Sequence, residues 1–268
     1  TRGLSDVLHL PAVAIVGSRA GSPYALAVAG KLAADLAARG IVIVSGLARG
    51  VDSAAHRGAL AGGGPTVAVL GSGADVIYPS EHTALAREIQ ATGVLLSELV
   101  PGTAPRPHFF PLRNRIISGL VRAVVVIEAG EKSGSLITAR TALDQGREVL
   151  AVPGNVLTGR NRGAHALLRD GAKIVESAED ILEELGAPWC QGVAGGAGAV
   201  PPGTARERRV TAAFLDPVLA RFSPGEALDL DELAERSGLN PSRLLPRLLE
   251  LELGGLVGRV GGGRFVRI

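Results

Sequence analysis

Two short glycine-containing segments of the sequence combine basic and hydroxyl side chains. The first is "GSR", Gly17–Arg19, directly after an apolar run, and the second is "EKSGSLIT", Glu131–Thr138. Glycine lets backbone amides approach a phosphate closely, and a helix that begins at such a turn adds N–H groups with a partial positive charge. Each segment alone would also suit a tight strand-to-helix turn. Together they predict phosphate contacts from Gly17, Ser18, Arg19, Lys132, Ser133, Gly134, Ser135 and Thr138.

A third segment, "FFPLRNRIISGL", places two of the chain's few aromatic residues beside arginines. Arg113 and Arg115 are planar cations suited to phosphate, and Asn114 between them can hydrogen-bond a base edge or a phosphate oxygen. A phenylalanine ring can stack on a base. We predict that one of the Phe109 and Phe110 rings packs into the core and that the other faces a ligand. The alternative is that both rings pack inward.

Charge is distributed unevenly along the chain, although the formal net charge is only +2. Residues 99–127 contain no Asp or Glu but include four arginines, and residues 149–169 also lack acids and include three arginines. Such basic segments indicate a polyanionic ligand. Positive loops spread over a wide surface suit a single-stranded nucleic acid better than a mononucleotide, which needs one pocket and one phosphate site.

Known motifs for cofactors and catalysis are missing. The sequence has no GxGxxG after its first apolar run, no GxxxxGK[ST], no GxSxG, no CxxC and no HExxH, and its five histidines are scattered. We therefore predict no cofactor, no metal and no catalytic residue. His56 and His108 fall near the basic segments, but a lone histidine is more often a hydrogen-bonding or packing residue than a base.

The cellular setting is predicted from what the sequence contains. It has no apolar run of membrane-spanning length, and its single cysteine, Cys190, cannot pair within the chain. Both features favour a cytoplasmic protein without membrane contact. The sequence contains no methionine, which predicts a fragment whose natural N-terminus is missing.

The elements that must position these segments follow from the apolar pattern. Across residues 1–185, short β-branched runs alternate with longer helix-like segments, which is typical of an α/β fold with a Rossmann-like, doubly wound, mainly parallel sheet. Predicted strands are Val13–Val16, Ile41–Ser45, Thr66–Leu70, Val94–Ser97, Ala123–Glu128, Glu148–Val152 and Lys173–Val175. Predicted helices are Tyr24–Arg39, Asp52–Ala61, Glu81–Thr92, Pro111–Gly119, Ser135–Gln145, Gly163–Asp170 and Ala178–Leu185.

The topology gathers the basic segments in one place. In an open parallel sheet, ligands bind beyond the carboxyl ends of the strands, where loops lead into helix N-termini. The glycine-containing segments all follow predicted strands, so we expect them to lie together along one edge of the sheet.

A change of composition divides the chain. Residues 186–207 are rich in Gly, Pro and Ala without periodicity and predict a flexible linker between a first domain, 1–185, and a second, 208–268. In the second domain, a helix near Val210–Ala220, two helices separated by "SGLN" and two short strands around "GGG" predict a small winged-helix domain.

Over about Leu8 to Leu185, the sequence resembles the DNA processing protein A (DprA, or Smf) family. The resemblance rests on "VAIVGSRAGSPYA", "IVSGLARGVDSAAHRGAL", "HFFPLRNRIISGL" and "VVVIEAGEKSGSLITARTALDQGREVLAVPG", in this order. It implies an extended Rossmann fold that binds single-stranded DNA without sequence preference and forms homodimers. It also implies that the protein loads the recombinase RecA onto strands coated by single-strand-binding protein.

The resemblance also implies site residues. The phosphate contacts would come from "GSR" and "KSGS", and the remainder of the pocket from Phe109, Phe110, Arg113, Asn114 and Arg115. Arg49 in "GLARGVD" is a further candidate, although it could instead brace its loop through Asp52.

Two other functions compete with this prediction. Nucleoside-phosphate hydrolases of a related Rossmann group need a carboxylate on the helix after the phosphate loop, where this chain has Thr138 and Arg140, and its first acid there is Asp144. A transcriptional regulator that reads DNA through the winged helix would need a sensor role for the first domain. The near-neutral charge of the second domain disfavours it, since residues 206–268 have ten arginines against nine acids. Arg243, Arg247, Arg259, Arg264 and Arg267 leave both a duplex-DNA and a protein-contact role open for that domain.

Overall fold

The computed structural model describes residues 1–186, 218, 221–222, 227–237, 240, 244–245, 247–248, 251–252, 257–260 and 264–267. The chain divides into two compact units, Thr1–Gly196 and Ala197–Ile268. The predicted linker lies outside the described residues except for Gly186, so its bounds stay a prediction. None of the helices in the described ranges is long and apolar enough to cross a membrane.

The first unit is built on one eight-stranded sheet with the strand order β1-β5-β4-β3-β2-β6-β7-β8. Its strands are β1 (Arg2–Gly3), β2 (Ala12–Val16), β3 (Val42–Ser45), β4 (Thr66–Val69), β5 (Val94–Leu96), β6 (Ala123–Val126), β7 (Glu148–Ala151) and β8 (Lys173–Ile174). Strands β2 to β8 pair in parallel, and β1 adds an antiparallel edge beside β5. This confirms the mainly parallel Rossmann-like fold. Strand β1 was not predicted, because its two residues are too few to show a strand pattern in the sequence.

Helices cover both faces of the sheet. They are α1 (Pro23–Ala37), α2 (Val51–Ala61), α3 (Thr83–Thr92), α4 (Phe109–Gly119), α5 (Gly134–Asp144), α6 (Arg162–Arg169) and α7 (Ala178–Leu185). Side chains alternate along a strand, so Val13 and Ile15 of β2 pack with α1, α2 and α7, while Ala14 and Val16 pack with α4, α5 and α6. Strands buried on both faces explain the continuous apolar runs.

The strand order places a crevice between β2 and β6. The chain leaves β2 through α1 toward β3, and it leaves β6 through α5 toward β7 on the opposite side. Val16 and Val126 end the two strands in register. Loops that depart in opposite directions from neighbouring strands leave an opening at the sheet edge, which is where ligands bind in such folds.

The second unit contains a three-stranded antiparallel sheet in the order β10-β11-β9. Its elements are β9 (Ala227–Leu228), α8 (Leu230–Ser237), β10 (Val257–Val260) and β11 (Arg264–Arg267). Leu233 of α8 and Phe265 of β11 belong to one apolar core. The two predicted strands are confirmed. The predicted helix 210–220 lies outside the described residues apart from Val218, and Arg243 lies outside them as well.

Candidate functional site

A cleft of about 800 Å³ opens at the carboxyl ends of β2 and β6. Its walls are the loop after β2, the beginning of α4 and the beginning of α5. Eleven predicted site residues line it: Gly17, Ser18, Arg19, Phe110, Arg113, Asn114, Lys132, Ser133, Gly134, Ser135 and Thr138. Three do not line it: Arg49, Phe109 and Arg115. Tyr78 and Asp52 line it too, but they were not among the predicted site residues.

The "GSR" turn is held between two neighbours. The Ser18 N–H donates to the Glu128 carbonyl oxygen at 2.7 Å, and the Val51 N–H donates to the Ser18 carbonyl oxygen at 3.2 Å. Gly50 has a φ of +75°, and a Cβ there would lie 2.3 Å from the Ser18 oxygen. Glycine is therefore required at position 50 by both the backbone conformation and the close approach of the turn.

Arg19 projects from this turn with its charge uncompensated. Its side chain is exposed, and its Cζ lies 5.1 Å from the centre of the Phe110 ring. No ion pair of Arg19 or Lys132 occurs among the described residues. A guanidinium resting on an aromatic face keeps its N–H groups available to an anion.

The N-terminus of α5 forms the opposite wall. Ser133 is its N-cap, and the Ser133 Oγ accepts a hydrogen bond from the Ser135 N–H at 3.4 Å and lies 2.7 Å from the Ser135 Oγ. One turn further on, Thr138 is buried and also lines the cleft. No acidic side chain lies in the first turn of α5, so the positive end of the helix dipole faces the cleft without compensation.

Arg113 forms part of the cleft floor and is only 5% exposed. Its Nη1 donates to the Val69 carbonyl oxygen, and a Cβ at Gly46 would lie 2.3 Å from Nη1. Burial lowers the pKa of Arg113 to about 10, a change that the nearby Asp52 carboxylate partly opposes. Arg113 therefore stays charged at neutral pH but is fixed in place, which suits a positioning role.

Asp52 lies beside Arg113 and is buried. Its Oδ2 accepts hydrogen bonds from the Gly46 N–H at 3.1 Å and the Ala48 N–H at 3.4 Å. Burial raises the pKa of Asp52, and Arg113 and these backbone donors act in the opposite direction. The carboxylate thus holds the loop after β3.

The two phenylalanines differ in direction rather than in burial. Both rings are half-buried, so the prediction that one of them packs into the core is wrong. Phe110 lines the cleft with its ring centre 5.6 Å from that of Tyr78, whereas Phe109 lies outside the cleft lining, against His108 at 4.3 Å. Of these two phenylalanines, Phe110 is the one placed to stack on a ligand in the cleft.

Arg49 and Arg115 are held by glutamates. Arg49 donates to both carboxylate oxygens of Glu81, at 2.5 and 2.8 Å, so the suggestion that it braces its loop through Asp52 is wrong. It lines a small cavity beside the cleft together with Arg19 and Phe110. Arg115 pairs with Glu98. A cation with a carboxylate partner attracts a phosphate less than an unpaired one.

Asn114 and His56 have structural contacts. The Asn114 Nδ2 donates to the Gly134 carbonyl oxygen at 3.4 Å and links α4 to α5. His56 is buried, with Nδ1 2.7 Å from the Thr66 Oγ1 and Nε2 accepting from the Leu47 N–H at 3.3 Å. Burial lowers the pKa of His56 to about 3. His56 is therefore a neutral packing residue, as the sequence suggested.

Among the residues that the structure describes, no cluster of His, Cys, Asp and Glu could hold a metal ion.

Comparison with known proteins shows which family the chain belongs to. Residues 1–186 match the family described as DNA recombination-mediator protein A, and residues 201–263 match the DprA winged helix domain. The chain belongs to the DprA family. This confirms the resemblance drawn from the motifs and the winged-helix character of the second DprA domain.

Individual DprA relatives agree. Protein Smf of Escherichia coli is 41% identical over 99% of this chain and 70% of its own length. DNA processing protein DprA of Streptococcus pneumoniae is 48% identical over 69% of this chain and 65% of its own. The putative DNA processing protein DprA of Mycobacterium tuberculosis is 44% identical, and the chain spans 61% of its length.

Two solved DprA structures share the fold. The S. pneumoniae structure has a TM-score of 0.66 at 47% identity, and the match covers 68% of this chain and 64% of the S. pneumoniae chain. The Helicobacter pylori structure, described as giving insights into a unique single-stranded DNA binding mode, has a TM-score of 0.64 at 32% identity. It covers 69% of this chain and 84% of its own.

Proposed function

We propose that the chain binds single-stranded DNA in the cleft, without sequence preference and without performing chemistry on it. The observation that carries the proposal is the pairing of two positive walls: Arg19 on the turn after β2, and Lys132 with the N-terminus of α5 across the cleft. Phosphate groups suit both walls. The binding mode named for the H. pylori relative supports the same ligand.

The arrangement explains why the sequence of the strand would not matter. Contacts to phosphate carry no direct sequence information, and an aromatic ring stacks on any base because every base has a π-face. Arg19, Lys132 and the α5 amides provide the first kind of contact, and Phe110 provides the second. Specific base recognition would instead require fixed hydrogen-bonding partners for base edges.

We further propose that the bound strand is passed to the recombinase RecA, as the family description of a recombination mediator supports. Single-strand-binding protein would be the competitor on the strand, and the working form would be a cytoplasmic homodimer. These partners follow from family membership, since recruitment depends on surfaces and not on cleft chemistry.

The hydrolase alternative lacks support from the geometry. Asp144 lies in the last turn of α5 and does not line the cleft. The carboxylate that does line it, Asp52, is occupied by the amides of Gly46 and Ala48. A hydrolytic role would need a carboxylate placed to reach the sugar or an attacking water.

Fluorescence anisotropy of a labelled oligothymidylate at several salt concentrations tests the proposal. Affinity should fall as salt rises, with a slope of about −0.7 for each phosphate neutralised. An unlabelled oligonucleotide of mixed sequence should compete as well as oligothymidylate, and a duplex should compete poorly. A flat salt response, or equal competition by duplex, would contradict the proposal.

A further inference from the structure

The loop between β7 and α6, residues 152–161, exposes two adjacent apolar side chains at its tip. Val156 is 74% exposed and Leu157 is 90% exposed. Single exposed apolar residues are common on protein surfaces and need no explanation. Two neighbouring apolar side chains that are both exposed at a loop tip form a small contact surface. Such a surface is used for binding more often than a single exposed residue is.

This β7–α6 loop is held in shape by its own hydrogen bonds. Near the tip, the Asn155 Oδ1 accepts from the Leu157 N–H at 2.8 Å, and the Thr158 Oγ1 donates to the Asn155 carbonyl oxygen at 3.3 Å. At the base, buried Asn161 accepts from the Ala129 N–H and donates to the Val152 carbonyl oxygen, both at 3.1 Å. A preorganised tip loses little conformational entropy on binding.

The loop adjoins the cleft. The Arg160 Nη1 donates to the carbonyl oxygen of Ala20 at 2.9 Å, and Ala20 lines the cleft. Leu157 is three residues from Arg160, so their Cα atoms are at most about 11 Å apart. With the length of the Arg160 side chain added, a strand leaving the cleft past Ala20 would reach the tip within about six nucleotides, at 3.4 Å or more for each.

The charge around the loop favours a nucleic acid over an apolar partner. Residues 149–169 contain no Asp or Glu. Arg162 lies 3.7 Å from Glu131, whereas Arg160 contacts a neutral carbonyl oxygen, and no carboxylate among the described residues pairs with it. An apolar tip beside an uncompensated cation matches the bases and the phosphates of one strand.

We propose that the β7–α6 loop is a second contact site for the strand, where bases that leave the cleft pack against Val156 and Leu157 while Arg160 attracts the phosphates. This inference rests on the proposed binding of single-stranded DNA. It extends the site beyond the cleft and gives the strand a direction, from Arg19 past Ala20 toward the loop tip.

Affinity for oligothymidylates of about 6 and about 20 nucleotides tests the proposal, because only the longer one can fill the cleft and pass the tip. The double substitution Val156→Ser, Leu157→Ser should weaken binding of the longer oligonucleotide about threefold to tenfold and leave the shorter one unchanged. Leu10→Ser is the matched control, since Leu10 is 47% exposed and precedes β2, at the opposite end of the strand.

The outcomes separate the two proposals. If the unaltered protein binds neither oligonucleotide, the proposed function fails. If it binds both and the double variant keeps full affinity for the longer one, the second contact site is refuted. A lower molar mass of the double variant by light scattering, with unchanged affinity, would identify the tip as a contact between two copies of the chain and would also refute it.

A fluorescent probe reports base contact directly. Leu157→Trp should be quenched by oligothymidylate in a background with Trp189→Phe, which removes the chain's single natural tryptophan. An abasic oligonucleotide of equal length should bind through phosphates without quenching. Equal quenching by both, or none by either, would show that no base reaches the tip.

Discussion

Arg19 and Arg115 carry the same guanidinium but face different surroundings. Arg19 lines the cleft beside Phe110, while Arg115 is exposed and already paired with Glu98. An exposed ion pair contributes little to stability, yet its carboxylate competes with an incoming phosphate. The two residues therefore form a matched pair for testing which cations bind DNA.

Arg19→Ala should weaken binding of single-stranded DNA about tenfold, because it removes a charge-assisted contact. The salt slope should also fall by about 0.7. Arg115→Ala, measured by the same anisotropy titration, should change affinity less than about twofold. A larger effect for Arg115 than for Arg19 would mean that the strand follows the outer side of α4.

His56 should make stability depend on pH. The buried imidazole stays neutral down to about pH 3, whereas in the unfolded chain it takes up a proton below its ordinary pKa of 6.5. Its contribution to stability is therefore complete above pH 6.5 and is lost as pH falls toward 3, by up to about 1.4 kcal/mol per pH unit.

Urea unfolding of the native protein and His56→Gln at pH 7, 6 and 5 measures this contribution. The native protein should lose stability more steeply than the variant, because the variant has one fewer group that takes up a proton on unfolding. Parallel pH dependence of the two proteins would show that His56 can be protonated in the folded state.

At the level of elements, the beginnings of α5 and α7 are built alike but placed differently. Ser133 caps α5 at the cleft, and Ser177 caps α7 through a capping box with Asp180. Helix α7 carries Glu179 and Asp180 in its first turn, which compensate the helix dipole. Helix α5 has no such acid, so its N-terminus remains attractive to an anion.

Ser133→Ala and Ser177→Ala should each lower the free energy of unfolding by about 1 kcal/mol, because each removes an N-cap acceptor. Only Ser133→Ala should also weaken binding of single-stranded DNA, since α5 borders the cleft and α7 does not line it. Thermal unfolding and anisotropy titration of both variants provide the two readouts. Equal loss of DNA affinity in both would assign the effect to general destabilisation.

At the scale of the whole molecule, the chain is divided into two units, and we expect each to fold without the other. Every cleft residue that the structure describes lies in the first unit, and the second unit has its own apolar core with Leu228, Leu233 and Phe265. Domains with separate cores can fold independently. The roles of the two units can therefore be separated by truncation.

A chain of residues 1–186 should bind single-stranded DNA with an affinity within about twofold of that of residues 1–268, because it retains every cleft residue that the structure describes. Anisotropy titrations of both chains, with circular dichroism to check the fold, measure this. A loss of more than about tenfold in a folded truncated chain would make the winged helix part of the DNA site.

The sequence by itself determined the sheet and the edge where the site lies. Runs such as "VAIV" and "AVVV" are apolar at every position, and a strand buried on both faces requires that pattern. Their alternation with helical segments indicated a doubly wound fold, and that topology gathers the loops after β2 and β6 in one cleft.

Only the tertiary structure decided what each side chain of those loops does. Arg113 and Arg115 are two positions apart on α4, so they point about 200° apart around a helix with 3.6 residues per turn. One is therefore buried against Gly46, while the other reaches Glu98. Arg49 pairs with Glu81, 32 residues away. Partners so distant in sequence meet only through the packed fold, which is why local patterns identified the site but not the role of each arginine.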